Sequence, residues 1–276
     1  LMKVAYLFLL MDKIQHEHIW EEFFSQDDGS RHSIYAHPKK ITKDTPKWIK
    51  DNTIKKSVKT GWCSENLLKA FCLMLKEALK DKDNKYFVFV SGTCLPLYNF
   101  NTTFKKITSS KKARFFYDWD YPFDSDDKCC YYSDQWCILN RKVAKDLIKL
   151  FTTKKGKKHI HTQRKRYKDH GVIVSPDKKF SYLTGPRCSD WVGKCPDELY
   201  PINWLIELYG KPSSQRFQKN IKYQESTFVE WDANANHPLQ LNQYQVDEMW
   251  EDICSGESIF ARKFRGNAAK MIGMSC

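Results

Sequence analysis

Two adjacent carboxylates, Asp197 and Glu198, follow Pro196 in a segment with the composition of a helix start. Acidic side chains are common in first turns because they meet the positive end of the helix dipole, and the pattern by itself favours this capping role. The alternative role is catalytic. A carboxylate in this position can be the general base that takes a proton from an attacking hydroxyl group.

Cations cluster at residues 260–265, where Arg262 and Lys263 lie between two phenylalanines. Fixed cations can stabilise the negative charge that develops on a diphosphate leaving group, and they can do so without a metal ion. A basic cluster of this kind is more often a solvated surface, and the pattern alone favours that interpretation.

Two other segments place polar groups beside predicted strands. Ser91 and Gly92 follow the apolar run 86–90, at the end of a strand where open α/β sheets bind their ligands. Gln135 and Trp136 begin another candidate strand. Neither segment needs a binding role. The first can be an ordinary strand end, and the second a core tryptophan with polar neighbours.

A metal site has weaker support. The segment 118–120 reads Asp-Trp-Asp, and paired carboxylates can hold a divalent cation if the backbone turns suitably. Three further aspartates at 124, 126 and 127 favour a solvated acidic loop instead. The glycine-rich motifs of dinucleotide, P-loop and serine-hydrolase sites are absent from the sequence, so those activities lack support.

The ten cysteines include no Cys-x-x-Cys pair, which argues against a zinc ribbon or a thioredoxin-like site. His159 and His161 are predicted to lie in a solvated loop rather than at a metal. Some cysteines could pair in an oxidising lumen, whereas others, such as Cys72, are predicted to be small buried residues. The cysteines therefore leave the compartment open.

The chain of 276 residues has a formal net charge of +13, and 41% of its residues are hydrophobic. The apolar content predicts a folded core, and the charge favours anionic partners such as nucleotide phosphates, anionic lipid or nucleic acid. A nucleic-acid-binding module is thus the rival from another functional class. It lacks support from a stacking-aromatic RNA motif or a helix-turn-helix signature.

Strands and helices alternate in the first part of the sequence, which predicts a parallel sheet with crossover helices. The predicted strands are 3–10, 33–38, 86–90, 113–117 and 135–139, and the predicted helices are 14–24, 64–79 (capped by Ser64), 142–151 and 198–208. The basic run 154–168 is predicted to be an exposed loop, and 247–270 to mix helix with a basic patch. The run 4–11 is predicted to be a buried strand, and no apolar run reaches the ~20 residues of a membrane span.

The chain resembles the core-2/I-branching β-1,6-N-acetylglucosaminyltransferase family, glycosyltransferase family 14, and its plant-type branch most of all. Similar segments occur in the family's order between residues 3 and 265. They are the strand 33–38, Trp62 ahead of a helix, the turn 91–97 with Pro96, the segment 133–136, the pair Asp197-Glu198 and the segment 260–264.

The resemblance implies a GT-A-like α/β fold, with a mostly parallel central sheet flanked by helices. We expect a single domain, 1–276, in which residues 3–110 bind the nucleotide sugar and 111–276 bind the acceptor and catalyse. The implied reaction is an inverting transfer of N-acetylglucosamine or xylose from a UDP-sugar to a glycan or glycoprotein hydroxyl, with neither metal nor cofactor. The sequence leaves the localisation unknown: the resemblance implies the Golgi lumen or membrane, and a virus-encoded member would act in the host cytoplasm or the virion.

The resemblance also assigns roles to residues. Glu198 matches the catalytic base. Donor contacts are expected at Lys263, Arg262, His37, Ser91 and Gly92, and His37 stands where animal members have an aspartate. Acceptor contacts are expected at Asp197, Gln135, Trp136 and Trp231. A relative that binds glycans without turnover is the remaining alternative.

Overall fold

The structure is a computed structural model that describes residues 1–119, 131–169, 172–173, 181–182, 195–231 and 238–276. The strands are β1 (Lys3–Leu10), β2 (His32–Pro38), β3 (Asn84–Ser91), β4 (Leu95–Pro96), β5 (Ala113–Phe115), β6 (Tyr117–Trp119), β7 (Tyr131–Ser133), β8 (Ile138–Asn140), β9 (Val172–Ile173), β10 (Ser181–Tyr182), β11 (Ile221–Tyr223), β12 (Thr227–Val229) and β13 (Phe260–Arg262). The helices are α1 (Glu17–Ser25), α2 (Lys47–Asp51), α3 (Glu65–Ala78), α4 (Phe100–Thr108), α5 (Arg141–Thr152), α6 (Lys154–Asp169), α7 (Pro196–Tyr209), α8 (Gln215–Asn220), α9 (Gln243–Glu248), α10 (Trp250–Ser255) and α11 (Gly266–Ile272).

A six-stranded sheet in the order β11-β5-β8-β3-β1-β2 forms the centre of the fold. All its strands run in one direction except β8, which pairs antiparallel with both neighbours. β1 is apolar throughout its middle because helices cover both faces of the sheet. The register aligns Leu9 with His37 on one side and with Ser91 on the other, so three strands end together at one edge. The predicted mostly parallel α/β fold is confirmed.

A second sheet, β12-β13-β4, lies beside the first and was not predicted from the sequence. β13 pairs parallel with β12 and antiparallel with β4. Ala261 and Phe264 pack in a smaller apolar cluster with Leu95, Leu97 and Ile272. The segment 260–264 is therefore a fixed part of the fold and not a solvated basic patch.

Most predicted elements are present, with ends shifted by a few residues. The predicted strand 113–117 is divided into β5 and β6, and the strand predicted at 135–139 begins only at Ile138, so that Gln135 and Trp136 lie in the turn before it. Ser64 stands at the N-cap of α3, but its hydroxyl donates to Gly61 O (2.8 Å) rather than accepting a helix N–H.

The basic run 154–168 is not the exposed loop that its charge predicts. It forms α6, whose buried face includes His159, Ile160 and Gln163. His159 pairs through Nδ1 with Glu207 of α7 and is therefore not solvated. The loop prediction was wrong because α6 is anchored largely by polar side chains, which leave no apolar stripe in the sequence.

Within the described ranges, disulfides join Cys63 to Cys195 and Cys254 to Cys276. Cys72 is buried and unpaired, as predicted. Among the described residues, none of the helices has the length and apolar character that crossing a bilayer requires.

Candidate active site

A cleft of about 720 Å³ opens where β1 and β3 end. Two segments contribute to its lining, residues 11–13 after β1 and residues 91–93 at the end of β3. They are joined by a hydrogen bond from Gln15 N to Gly92 O (2.8 Å). A Cβ atom on Gly92 would lie 2.8 Å from Lys13 O, so only glycine permits this close approach.

Two cations, Arg262 at the end of β13 and Lys263 directly after it, form one wall of this cleft, the cation wall. Arg262 and Lys263 are half-buried, and within the described part of the chain neither takes part in a salt bridge. The Arg262 guanidinium lies 4.3 Å above the ring of Trp136, a cation–π contact. Burial lowers the pKa of Arg262, and burial together with the Arg262 charge lowers the pKa of Lys263. The wall therefore holds two partly desolvated positive charges that an anion would stabilise.

The first turn of α7 forms another part of the cleft lining. Glu198 lies at the third helical position, and its Oε2 accepts the Cys195 N–H at 2.7 Å, which is the predicted capping contact. Gln135 Nε2 donates to Asp197 Oδ2 at 2.7 Å, while the buried Asp197 Oδ1 has no partner among the described residues. Burial, together with the charge of Glu198, raises the pKa of Asp197 to about 8.

The structure thus brings the carboxylates and the cations into one cleft, although 65 residues separate Glu198 from Lys263 in the sequence. A proton acceptor and an anion-binding pair around one cavity are suited to transfer of a group from an anionic leaving group to a hydroxyl. The model of the Core-2/I-Branching enzyme family matches residues 4–253. The chain belongs to this family.

Glycosyltransferase BC10 of Oryza sativa subsp. japonica is 30% identical over 166 residues. The match covers 53% of this chain and 40% of that relative, so it spans less than half of the relative's length. Family and relative together support a glycosyltransferase of the core-2/I-branching kind. The family match ends before Arg262 and Lys263, so their assignment depends on the resemblance of the segment 260–264 and on the geometry of the cleft.

Ser91, Gly92, Gln135, Trp136 and Trp231 also line the cleft of this family member. Trp136 is buried beneath Arg262, whereas Trp231 is 46% exposed. Indole rings with an open face suit the apolar faces of sugar rings. Of the predicted acceptor residues, Trp231 therefore presents the largest open surface, and Trp136 supports the cation wall.

His37 is the predicted site residue that does not line the cleft. It ends β2 at the correct edge of the sheet, but its side chain is only 1% exposed. Its Nε2 accepts the Val58 N–H at 3.2 Å, and burial lowers its pKa. The buried, neutral imidazole of His37 therefore holds the loop that leads to Thr60, a residue of the cleft lining. The sequence predicts a direct contact between His37 and the donor, and the structure does not place His37 in the cleft lining.

Sequence reasoning missed Trp62, Lys13 and Gln240 as lining residues. Trp62 is 59% exposed, and in the sequence it is a mark of the family resemblance without an assigned role. Lys13 adds a third cation, and its position directly after β1 was a usable signal, because ligands bind at the ends of parallel strands. Gln240 follows a stretch outside the described residues and carried no signal.

The segment 118–120 is only partly described. Asp118 lies on β6, where Tyr132 Oη donates to its Oδ2 at 3.5 Å, and Asp120 lies outside the described residues. In the described ranges, no group of three or more His, Cys, Asp or Glu side chains could hold a metal ion.

Proposed function

We propose that this protein is an inverting glycosyltransferase that moves N-acetylglucosamine or xylose from a UDP-sugar to a hydroxyl group of a glycan or glycoprotein, without a metal ion. The observation that carries this proposal is the single cleft shared by Glu198, Arg262 and Lys263. A general base and a diphosphate-binding pair are the two parts that a direct displacement at the anomeric carbon needs.

Glu198 is the proposed base. As its carboxylate takes the proton of the acceptor hydroxyl, the hydroxyl oxygen attacks the anomeric carbon on the face opposite the diphosphate. The new carbon–oxygen bond forms while the bond to the diphosphate oxygen breaks, and that electron pair leaves with UDP. An α-linked donor therefore gives a β-linked product.

Asp197 assists by remaining neutral. With its pKa raised to about 8, its carboxyl group holds a proton at neutral pH and does not repel the charge on Glu198. Its contact with Gln135 fixes the carboxyl group at the cleft, where it can hydrogen-bond an acceptor hydroxyl. We therefore assign Asp197 and Gln135 to acceptor binding and Glu198 to proton transfer.

Arg262 and Lys263 are the proposed ligands of the diphosphate. They supply fixed positive charge where negative charge grows as the sugar leaves, which is the contribution that a metal ion makes in metal-dependent transferases. Because both are already partly desolvated, their interaction with a phosphate is stronger than that of exposed cations.

A donor screen tests the proposal. UDP release is measured for a panel of UDP-sugars, with and without glycan acceptors, in EDTA and in manganese. We expect acceptor-dependent release from one donor that EDTA leaves intact. A requirement for manganese, together with loss of activity in Asp118→Ala, would show that the metal-free reaction is wrong. UDP binding without release from any donor would favour the non-catalytic alternative.

A further inference from the structure

Two contacts tie the start of α7 to the start of α3. The Cys63–Cys195 disulfide joins residues 132 apart in sequence, with the Cα atoms 4.8 Å apart. One turn further on, Tyr200 Oη donates to Glu65 Oε1 at 2.9 Å. The residues that precede and begin α3 therefore hold the first turn of α7 by one covalent bond and one hydrogen bond.

The covalent tie acts on the residue that orients Glu198. The Cys195 N–H donates to Glu198 Oε2 at 2.7 Å, so one residue carries both the sulfur bonded to Cys63 and the amide bonded to the carboxylate. Cys63, Cys195 and Glu198 all line the cleft. A shift of the Cys195 backbone would therefore move the carboxylate relative to a bound acceptor.

We propose that the Cys63–Cys195 disulfide is a positioning element for Glu198, so that turnover depends on the redox state of this bond. This inference rests on the proposed function, in which Glu198 is the base. When a dithiol reduces the bond, two electrons convert the disulfide to two thiols and the dithiol becomes a disulfide. The Cys195 backbone is then free of Cys63, while Tyr200 and Glu65 keep α7 docked.

The expected consequence is a loss of rate rather than of donor binding. Misplacing a catalytic group by about 1 Å can reduce turnover by about 10²-fold. The cation wall consists of the last residue of β13 and the residue after it, and β13 pairs with β12 and β4 and includes neither cysteine. Removal of the disulfide should therefore lower kcat and leave the KM for the UDP-sugar nearly unchanged.

The second disulfide provides a matched control. Cys254–Cys276 ties α10 to the last residue of the chain, and neither cysteine is among the residues that line the cleft in the described part of the structure. We expect Cys63→Ala/Cys195→Ala to lower kcat about 10- to 100-fold, with the KM for the donor within about twofold. Cys254→Ala/Cys276→Ala should keep the kcat of the wild type. Equal kcat values in all three proteins would overturn the inference.

A double-mutant cycle separates positioning from general loss of structure. In the Glu198→Gln background the base is gone, so removing Cys63–Cys195 should reduce the residual turnover no further. The same fold-loss in both backgrounds would mean that the disulfide acts elsewhere. If Glu198→Gln alone turns over normally, the proposed base is wrong. If Glu198→Gln is inactive and the disulfide variant is normal, only the inference of this section fails.

Reversible reduction of the wild type covers the case in which the double alanine variant does not fold. Dithiothreitol should lower kcat in proportion to the fraction of Cys63 and Cys195 that becomes open to alkylation, as measured by mass spectrometry. Reoxidation should restore kcat. The Cys254→Ala/Cys276→Ala protein should respond in the same way. Full activity with both Cys63 and Cys195 alkylated would contradict the inference.

Discussion

The two walls of the cleft are held in place by different kinds of contact. Backbone hydrogen bonds hold the cation wall, which is the proposed donor wall of Arg262 and Lys263; two of them are Leu241 N to Lys263 O and Arg265 N to Leu241 O, both 2.9 Å. Side chains hold the first turn of α7, which with Gln135 forms the proposed acceptor wall: a disulfide, the capping carboxylate Glu198 and the pair Gln135–Asp197. Backbone pairing tolerates many side chains, whereas side-chain contacts require particular residues. We infer that substitutions change the acceptor wall more readily than the frame of the donor wall.

The largest expected effect comes from the acceptor wall. Glu198→Gln preserves the shape of the side chain but removes the proton acceptor, so turnover should fall by about 10²-fold or more while UDP still binds. UDP release and the rise in melting temperature caused by UDP measure the two properties separately. The control is Glu251→Gln, in the exposed first turn of α10, which should behave as the wild type. Near-normal turnover in Glu198→Gln would remove it from the role of base.

Substitutions in the donor wall should weaken UDP binding, whereas Glu198→Gln should lower turnover. Lys263→Gln removes one charge facing the proposed diphosphate and should weaken UDP binding about tenfold, the value of one charge-assisted hydrogen bond. Arg265→Gln is its control, because Arg265 belongs to the same basic cluster but is exposed and outside the cleft lining. Calorimetric titration with UDP measures both affinities. If both substitutions weaken UDP binding equally, the effect comes from the net charge of the protein and not from a specific contact between Lys263 and UDP.

The structural features of the cleft that can be predicted from the sequence are those marked by a run of apolar residues. The unbroken apolar run of β1 fixes the centre of the sheet, and the ligand-binding edge follows from Ser91 and Gly92 at the end of β3. The motif resemblance predicts that Glu198 and Lys263 belong to one site, and in the structure both residues line the same cleft.

The parts that the sequence does not predict depend on pairing or on polar burial. Ten cysteines permit many pairings, so the partner of Cys195 cannot be chosen from spacing. The anchors of α6 include the buried residues His159 and Gln163, which look like surface residues in the sequence. β13 has only three residues and runs directly into a basic segment, so it is too short to be distinguished from a loop in the sequence.

Smaller effects are expected from the exposed indoles at the cleft. Trp62→Ala and Trp231→Ala should each raise the KM for the acceptor about three- to tenfold, because each removes an apolar surface on which a sugar ring can stack. The KM for the donor should not change. Tyr244→Ala is the control, since Tyr244 is 68% exposed but does not line the cleft. The KM for the acceptor is measured by varying the acceptor at saturating donor. An equal rise of this KM in Tyr244→Ala would contradict the assignment.

The smallest expected effect concerns the pH dependence of stability and comes from Asp197. Its folded-state pKa of about 8 exceeds the unfolded value of about 4, so between these limits the folded state binds more protons and stability decreases as pH rises. Asp197→Asn removes the pH dependence that this carboxyl group contributes, so the free energy of unfolding of the variant, relative to the wild type, should rise between pH 4 and pH 8. Urea denaturation at both pH values measures it, with Asp252→Asn on the exposed surface of α10 as the control. Parallel pH dependences of the wild type and Asp197→Asn would mean that Asp197 is ionised in the folded protein. The acceptor wall would then carry two adjacent negative charges, and Glu198 would lose the neutral neighbour that our mechanism gives it.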